Sequence, residues 1–252
     1  MKFWNINYVR VFLIILVALY ISVPSIAFAT DSGKVIPVLL YHRVSHKADA
    51  LTITSERFRN DLTKLKKNGY ETISLRAFVA YLIGKETALP AKPLLITFDD
   101  SYQDNYDNAF PILKENNSVA AFFVITGMID RNKDRLTSNE IKEMSAAGMS
   151  FGSHTVSHLP LSQKPDERMQ NELLFSKQFL EEMLGGAISS IAYPEGCFTE
   201  NAIQMAIEQG YNIGFTVEPG VYSSKITLFK ISRIPVFYYT GDIIEIINKI
   251  SK

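Results

Sequence analysis

The stretch LLITFDD at residues 94–100 is the part of the sequence from which the expected fold and site follow. Four apolar or β-branched residues lead into Phe98, a pattern typical of a buried strand. Asp99 and Asp100 follow directly, and two adjacent carboxylates repel each other unless each is hydrogen-bonded, solvated or bound to a metal ion. One interpretation is an Asp pair that caps the next helix. The other is that one Asp binds a metal while its neighbour handles protons, which requires more ligands elsewhere in the chain.

Residues 1–29 have the organisation of a secretory signal. Two basic residues precede an apolar run at 11–23, and a proline separates this run from the small-x-small sequence Ala27-Phe28-Ala29. A retained membrane anchor is the alternative, although the uninterrupted apolar run is short for a full span. We therefore expect a secreted or extracytoplasmic protein, and association with the membrane or the cell surface stays open.

Charge and cysteine content narrow the function classes. The chain has 26 basic and 26 acidic residues, and residues 1–29 hold two of the basic ones, so 24 basic and 26 acidic residues leave about −2. This balance excludes the basic surface that nucleic-acid binding requires. Cys197 is the single cysteine, so no internal disulfide can form and an exported chain must depend on its core. With no linker, repeat or low-complexity tract, residues 30–252 are expected to form one domain that acts as a monomer.

Apolar strands alternate with helical segments along most of the chain. Strands are predicted at 34–41, 71–74, 94–98, 119–125, 149–152, 187–193 and 212–217, and helices at 55–68, 75–83, 105–116, 138–147, 166–184 and 199–209. Near-continuously apolar strands are typical of parallel sheets that helices cover from outside. Six or seven such units predict an α/β fold, a complete or distorted (β/α) barrel of parallel strands in a single domain.

The histidines supply the second half of a metal site. The chain has four of them: His42, His46, His154 and His158. The last two are four residues apart, and on one helical turn such residues share a face, so both imidazoles could bind one ion. His154 follows a predicted strand end, as the Asp pair does. Two imidazoles and one carboxylate are a typical ligand set for a catalytic divalent metal, most naturally Zn²⁺, which activates water and polarises a carbonyl.

Both clusters lie in motifs that resemble those of the polysaccharide deacetylases of the NodB-homology type. The sequence TFDDSY at 97–102 resembles the first motif of this family, SHTVSH at 153–158 the second, and AYPEG at 192–196 the third. The resemblance extends from Pro37 to about Pro235. It implies a distorted barrel of parallel strands and the metal-dependent hydrolysis of an N-acetyl group on an amino sugar.

The resemblance also implies roles for individual residues. Three of them would bind the metal: Asp100, His154 and His158. Asp99 would be the general base. The backbone N–H near Glu195 would help to hold the oxyanion that forms when the acetyl carbonyl is attacked, and Tyr193 and Pro194 of the same motif would contact the sugar.

A general acid has to protonate the departing amine, and here the chain departs from the family. The family usually uses a His near the C-terminus, but this chain has none after His158. We favour His42, which directly follows a predicted strand, over His46, which lies further into a loop. A Tyr-His pair near the N-terminus is similar to the subgroup that deacetylates poly-β-1,6-N-acetylglucosamine. We therefore expect this exported polymer as the partner and substrate.

Three further departures bear on the site. Ser101 replaces the usual Gly after the Asp pair, Glu195 replaces the usual Tyr of the third motif, and no Arg stands upstream of that motif. Arg233 could pair with Asp99 and orient it, contact the substrate, or form a surface ion pair. The alternatives for function are deacetylation of peptidoglycan, chitin fragments or acetyl xylan, and a carbohydrate-binding relative without turnover.

Overall fold

The computed structural model describes residues 35–85, 88–163, 166–221 and 227–250, so the predicted signal segment 1–29 lies outside the described residues. The strands are β1 Val38–Tyr41, β2 Arg43–Ser45, β3 Thr52–Thr54, β4 Tyr70–Thr72, β5 Lys92–Phe98, β6 Ala121–Val124, β7 Ser150–Ser153, β8 Ser190–Ala192, β9 Ile213–Pro219 and β10 Ile231–Pro235. The α-helices are α1 Ser55–Lys67, α2 Leu75–Leu82, α3 Phe110–Glu115, α4 Ser138–Ala146, α5 Asp166–Leu184, α6 Glu200–Glu208 and α7 Ile243–Ile250. None of these helices combines the length and the apolar character needed to cross a membrane.

Seven parallel strands close the barrel that the sequence predicts. They follow the order β1-β10-β9-β8-β7-β6-β5, and β5 pairs back with β1. Leu39 of β1 therefore lies between Ile234 of β10 and Ile96 of β5. The barrel is distorted because β4 pairs with the first residues of β5 but is not one of the seven strands of the closed ring. Strands β2 and β3 form a small sheet of their own. The predicted distorted (β/α) barrel is confirmed.

Strands β1, β5 and β6 are apolar almost throughout because both of their faces are buried. In β5, Leu94, Ile96 and Phe98 pack in the layer between the barrel and its helices, whereas Leu95 belongs to the cluster that fills the interior. This alternation is the two-residue period of a strand. Gly152 of β7 leaves the space that the ring of Phe123 occupies, since a Cβ at this position would clash with it. The barrel is a packed core and not a channel.

Helix boundaries follow the predicted caps with one correction. Thr54, Thr137 and Thr199 each accept a hydrogen bond from an N–H of the first turn, and Thr137 forms a capping box with Glu140. The single helix predicted at 105–116 is instead a π-helical turn followed by α3. Pro111 causes no break because it lies in the first turn of α3, where its missing N–H has no partner to lose.

Strands β2, β3 and β10 were not predicted. The first two have three residues each, too few for a hydrophobic period to be recognised. In β10, Ser232 and Arg233 interrupt the apolar pattern within five residues. A buried Arg is nevertheless accommodated there, because its partner lies at the end of β5.

Candidate active site

The predicted site residues lie at the C-terminal ends of the barrel strands. His42 follows β1, Asp99 and Asp100 follow β5, His154 follows β7, and the third motif follows β8. Since the strands are parallel, these ends meet at one end of the barrel, which is where barrel enzymes have their active sites. Arg233 lies inside β10, and its side chain reaches the same region from within the barrel.

Asp100, His154 and His158 form a cluster with the composition of a metal site. The Asp100 Oδ1 atom lies 3.4 Å from His154 Nε2 and 3.1 Å from His158 Nε2. One potential ligand atom from each residue lies within 4.8 Å of the others. Burial raises the pKa of Asp100, but hydrogen bonds from the two imidazoles outweigh it and hold this pKa well below its ordinary value. Two nitrogens and one anionic oxygen form a ligand set that fits a catalytic divalent cation.

A backbone carbonyl fixes the orientation of the His154 ring. Its Nδ1 lies 2.8 Å from the carbonyl oxygen of Ala192, and because a carbonyl only accepts, Nδ1 carries the proton. When the ring is neutral, as a metal ligand must be, the lone pair is on Nε2, the atom that faces Asp100. A second hydrogen bond of this kind is what orients most metal-binding histidines.

The two histidines converge through a loop, which corrects the prediction of a helical turn. Strand β7 ends at Ser153, and Thr155 and His158 have φ angles of 65° and 58°, in the left-handed region. The imidazole centroids are 4.8 Å apart. The two imidazoles therefore come together because left-handed residues turn the chain back on itself, and not because residues four apart share a helical face.

Glu172 of α5 holds this loop and was missed by the sequence analysis. Its Oε2 accepts hydrogen bonds of 2.8 Å from the N–H groups of Val156 and Ser157, and its Oε1 accepts a short hydrogen bond from the Ser157 hydroxyl. The side chain is buried, which is rare for a Glu without a specific partner. Nothing in the sequence distinguishes it from the other acidic residues of an amphipathic helix.

Asp99 is held by a fully buried guanidinium. Arg233 Nη1 donates to Asp99 Oδ1 over 2.8 Å and Nη2 donates to Oδ2 over 2.7 Å. Arg233 also donates from Nε to the Thr216 carbonyl and from Nη1 to the Thr97 hydroxyl. Burial raises the pKa of Asp99, but the charges of Arg233 and His154 and the hydrogen bonds from Arg233 together outweigh it and lower the pKa below its ordinary value. Asp99 is therefore ionised at neutral pH.

Two of the alternatives for Arg233 are wrong. Its side chain has 0% exposure, so the pair is not a surface ion pair and the guanidinium cannot touch a substrate. It instead packs against the rings of Phe123 and Phe215, with its Cζ atom 5.7 and 5.8 Å from the ring centroids. The third alternative, pairing with Asp99, is what the structure shows.

His42 lies within electrostatic reach of the acidic pair. Burial lowers the pKa of His42 below its ordinary value, while the charges of Asp99 and Asp100 oppose this effect. Its Nδ1 is buried and has no hydrogen-bond partner among the described residues, and its ring stacks on Phe237 at 6.4 Å. His46, the other candidate acid, is exposed to solvent.

The third motif forms a tight turn that buries Tyr193. Pro194–Gly196 is a 3₁₀ turn in which Glu195 has a φ of 57°. Tyr193 has 0% exposure and packs on Phe198 with ring centroids 4.6 Å apart, so the prediction that it contacts a sugar is wrong. Its hydroxyl occupies the space beside Gly214, where a Cβ would clash with it. Pro194 is buried as well, and Glu195 is exposed.

Ser101 shows why a Gly is usual after the Asp pair. Asp100 and Ser101 have φ angles of 72° and 53°, and only Gly adopts this region without strain. Ser101 offsets part of the cost through hydrogen bonds: its carbonyl accepts from the Leu136 N–H and its hydroxyl from the Ile125 N–H. Backbone strain of this kind is typical of functional sites.

Comparison with known proteins identifies the family. A family profile described as polysaccharide deacetylase matches residues 86–214 of the 252. YxkH of Bacillus subtilis (strain 168), which carries a provisional polysaccharide deacetylase name, is 32% identical over 207 residues, 82% of this chain and 73% of that protein. A poly-β-1,6-N-acetyl-D-glucosamine N-deacetylase of Staphylococcus aureus (strain MRSA252) is 26% identical over 196 residues, 73% of this chain and 67% of that protein. The chain belongs to the polysaccharide deacetylase family, whose members are hydrolases.

Solved structures share the fold over nearly their whole length. The deacetylase PplD of Streptococcus pyogenes, in complex with acetate, superposes with a TM-score of 0.80 at 30% identity, covering 87% of this chain and 99% of that chain. IcaB of Ammonifex degensii superposes with a TM-score of 0.77 at 28% identity, covering 86% of this chain and 97% of that chain. The barrel described above is therefore the fold of these relatives.

Proposed function

We propose that the protein is a metal-dependent hydrolase that removes N-acetyl groups from an extracellular N-acetylglucosamine polymer, with poly-β-1,6-N-acetylglucosamine as the first choice. The observation that carries the proposal is the cluster of Asp100, His154 and His158 directly beside the ionised Asp99. The printed name of the Staphylococcus aureus relative supports the choice of polymer. The acetate in the PplD structure is the product expected of such a reaction.

In this proposal Asp100, His154 and His158 hold a divalent cation, most naturally Zn²⁺. When bound, such an ion lowers the pKa of water and polarises a carbonyl oxygen. The protein's contribution is to fix the donors: Ala192 orients His154, and Glu172 holds the loop that carries His158. A preformed set of this kind loses little freedom when the ion binds.

Asp99 is the proposed general base, which takes a proton from the attacking water. Both of its oxygens accept from Arg233, and each retains a second lone pair for that proton. The bidentate contact holds the plane of the carboxylate in one orientation, which a single hydrogen bond would not do. Arg233 is thus a positioning residue in the proposed mechanism.

His42 is the proposed general acid, which gives a proton to the departing amine. Its half-buried ring lies near Asp99 and Asp100, whose negative charges oppose the lowering of its pKa by burial and so favour a proton on the ring. The stacking partner Phe237 keeps the ring in place. Without a proton donor, the amine would have to leave as an amide anion, which is a very poor leaving group.

The proposed oxyanion contact is the N–H of Glu195. In this turn Gly196 and Cys197 donate their N–H groups to the carbonyls of Tyr193 and Pro194, and Pro194 has no N–H of its own. The hydrogen bonds of this turn therefore do not use the N–H of Glu195. A donor aimed at the developing negative charge contributes most when it is held before the reaction begins, as a tight turn does.

We further propose that the protein acts as a monomer in a secreted or extracytoplasmic location, where the polymer is found. The full-length chain, loaded with Zn²⁺, should release acetate from a β-1,6-linked N-acetylglucosamine hexamer, and a chelator should abolish this release. Asp100→Ala should also abolish it. Release of acetate from peptidoglycan or chitin fragments alone would support the proposed reaction but assign it a different substrate. Metal binding without release from any of them would contradict the proposal and favour a carbohydrate-binding relative.

A further inference from the structure

An aromatic row leads away from the candidate acid at the C-terminal end of the barrel. Strand β10 ends at Pro235, and Phe237, Tyr238 and Tyr239 follow in the loop before α7. Phe237 is half-buried, whereas Tyr238 and Tyr239 are 56% and 68% exposed. These are the two highest values among the large hydrophobic side chains of the described residues.

The rings form a continuous path. His42 stacks on Phe237 with centroids 6.4 Å apart and an interplanar angle of 20°. Phe237 stacks on Tyr239 at 5.4 Å and 26°, and Tyr239 meets Tyr238 edge to face at 5.1 Å and 86°. Tyr239 therefore contacts Phe237 directly, and Tyr238 is connected to it through Tyr239. Phe237 is in turn the ring on which the proposed acid stacks.

Hydrogen bonds hold the turn that carries the row. The Phe237 N–H donates to the Thr240 hydroxyl over 2.8 Å, and the Thr240 N–H returns to the Phe237 carbonyl over 3.0 Å. Arg57 of α1 donates to the carbonyls of Thr240 and Gly241 over 2.9 and 2.7 Å, and its Nε is held by the buried Asp61. A ligand that binds to the row therefore orders little additional chain.

We propose that Tyr238 and Tyr239 bind the sugar residue next to the one that is deacetylated, so that the protein takes an extended polymer and not a single amino sugar. This inference rests on the proposed function. A pyranose ring with equatorial substituents presents a face of C–H groups, which matches the negative face of an aromatic ring, and a tyrosine hydroxyl can hydrogen-bond to a sugar hydroxyl. Continuity with the site, through Phe237 and His42, puts the row on the path of the chain.

The charged residues near this turn favour a neutral sugar polymer over an anionic lipid surface as the ligand. A segment that binds anionic lipid needs cations that are free to face it. Two cations of α1 on this side of the barrel are engaged in ion pairs, Arg57 with Asp61 and Lys64 with Asp242. The row is thus apolar and hydroxyl-bearing, as a neutral sugar chain requires.

The test compares substrates of different length with the full-length, metal-loaded protein. In the double variant Tyr238→Ala/Tyr239→Ala, KM for the β-1,6-linked hexamer should rise about tenfold, since two aromatic contacts are lost. The rise for the dimer should be smaller by a factor of about three or more, because the dimer covers less of the row. Tyr238→Phe/Tyr239→Phe keeps the rings and should restore KM for the hexamer to within about twofold of wild type. Phe179→Ala, an exposed aromatic on α5, is the matched control and should leave both values unchanged.

Equal losses for dimer and hexamer would overturn the proposal, as would an unchanged KM together with lost binding to phosphatidylglycerol vesicles. If the wild type releases no acetate from either oligomer, the proposed function fails on its own. Titration of the wild type and of Tyr238→Ala/Tyr239→Ala with the hexamer, monitored by isothermal titration calorimetry, then decides the inference. Weaker binding by the variant supports it, and equal binding overturns it.

Discussion

Arg233 and Asp99 form the ion pair on which the candidate base depends. Both side chains are almost fully buried, and their charges are matched by two hydrogen bonds of 2.7–2.8 Å. Burying two charges costs several kcal/mol per ion, and good geometry offsets this cost only while both partners are present. The pair is better explained as orienting Asp99 than as a source of stability.

Removing one partner should therefore be costly. We expect Asp99→Asn to lower the free energy of unfolding at pH 7 by about 3 kcal/mol, because Arg233 keeps an uncompensated buried charge. Chemical denaturation of the metal-free protein measures this loss. Asp107→Asn, at a surface position in the π-helical turn, is the control and should change stability by less than about 0.5 kcal/mol. A loss no larger than that of the control would contradict the interpretation.

The same pair predicts a pH dependence. The pKa of Asp99 in the folded protein lies below its ordinary value of 3.8, so the folded protein binds the proton less tightly than the unfolded chain. The contribution of Asp99 to stability is thus complete above the unfolded pKa and is lost as the pH falls through the folded pKa. Because Asp99 also acts on the pKa values of His42 and His154, the informative range lies below about pH 5, where these histidines no longer titrate. In that range the difference in Tm between wild type and Asp99→Asn, measured with chelator, should shrink as the pH falls below about 4. A difference that grows between about pH 5 and pH 3 would contradict this.

His42 should affect catalysis and not metal binding. We expect His42→Ala to lower kcat by about 100-fold or more, since protonation of the leaving amine is lost. Metal content, measured by atomic emission after desalting, should stay at the wild-type value. His46→Ala, which removes the exposed neighbouring imidazole, is the control. An unchanged kcat in His42→Ala would remove this residue from the mechanism.

At the scale of elements, α5 supports the metal site without contributing a ligand. Its Glu172 accepts three hydrogen bonds from Val156 and Ser157, in the loop between the two histidines. Residues in this supporting role typically alter metal affinity by about 10- to 100-fold when they are changed. The helix thus determines how well the loop after β7 is preformed.

Glu172→Gln is the variant that tests this support. It keeps the size of the side chain but leaves one acceptor oxygen for three donors, so the Zn²⁺ affinity should fall about tenfold. Competition with a chromophoric chelator measures the affinity. Glu167→Gln, in the exposed first turn of the same helix, should leave it unchanged. Equal affinity in Glu172→Gln and wild type would mean that the loop is held by other contacts.

At the scale of the whole molecule, the proposed metal joins two parts of the barrel. Asp100 follows β5, while His154 and His158 follow β7, with β6 between these strands. An ion that binds only the folded arrangement stabilises it, by about 2.7 kcal/mol at a free concentration 100 times its Kd. Added Zn²⁺ should therefore raise the Tm of the wild type in calorimetry, and a chelator should reverse the rise. His158→Ala should show a much smaller rise, and an equal rise in both proteins would place the ion elsewhere.

Local sequence patterns determined the elements and the positions from which the site is built. Continuous apolar runs predicted parallel strands, because a strand buried on both faces carries apolar residues throughout. The closed barrel then followed from the alternation of strand and helix. Polar residues placed directly after such runs, Asp99, Asp100 and His154, came to lie at one end because parallel strands all end there.

Only the tertiary structure decided which of these side chains touch each other and which are accessible. Arg233 contacts Asp99 across 134 residues of sequence, and Glu172 contacts the histidine loop from helix α5. Tyr193 is buried, although its motif favoured a sugar contact. The loop after β7 is set by two left-handed residues and not by the helical period of its histidines. The physical reason is that periodicity encodes whether a residue is buried in its own element. Its partners depend on how the barrel closes and on which elements cover it.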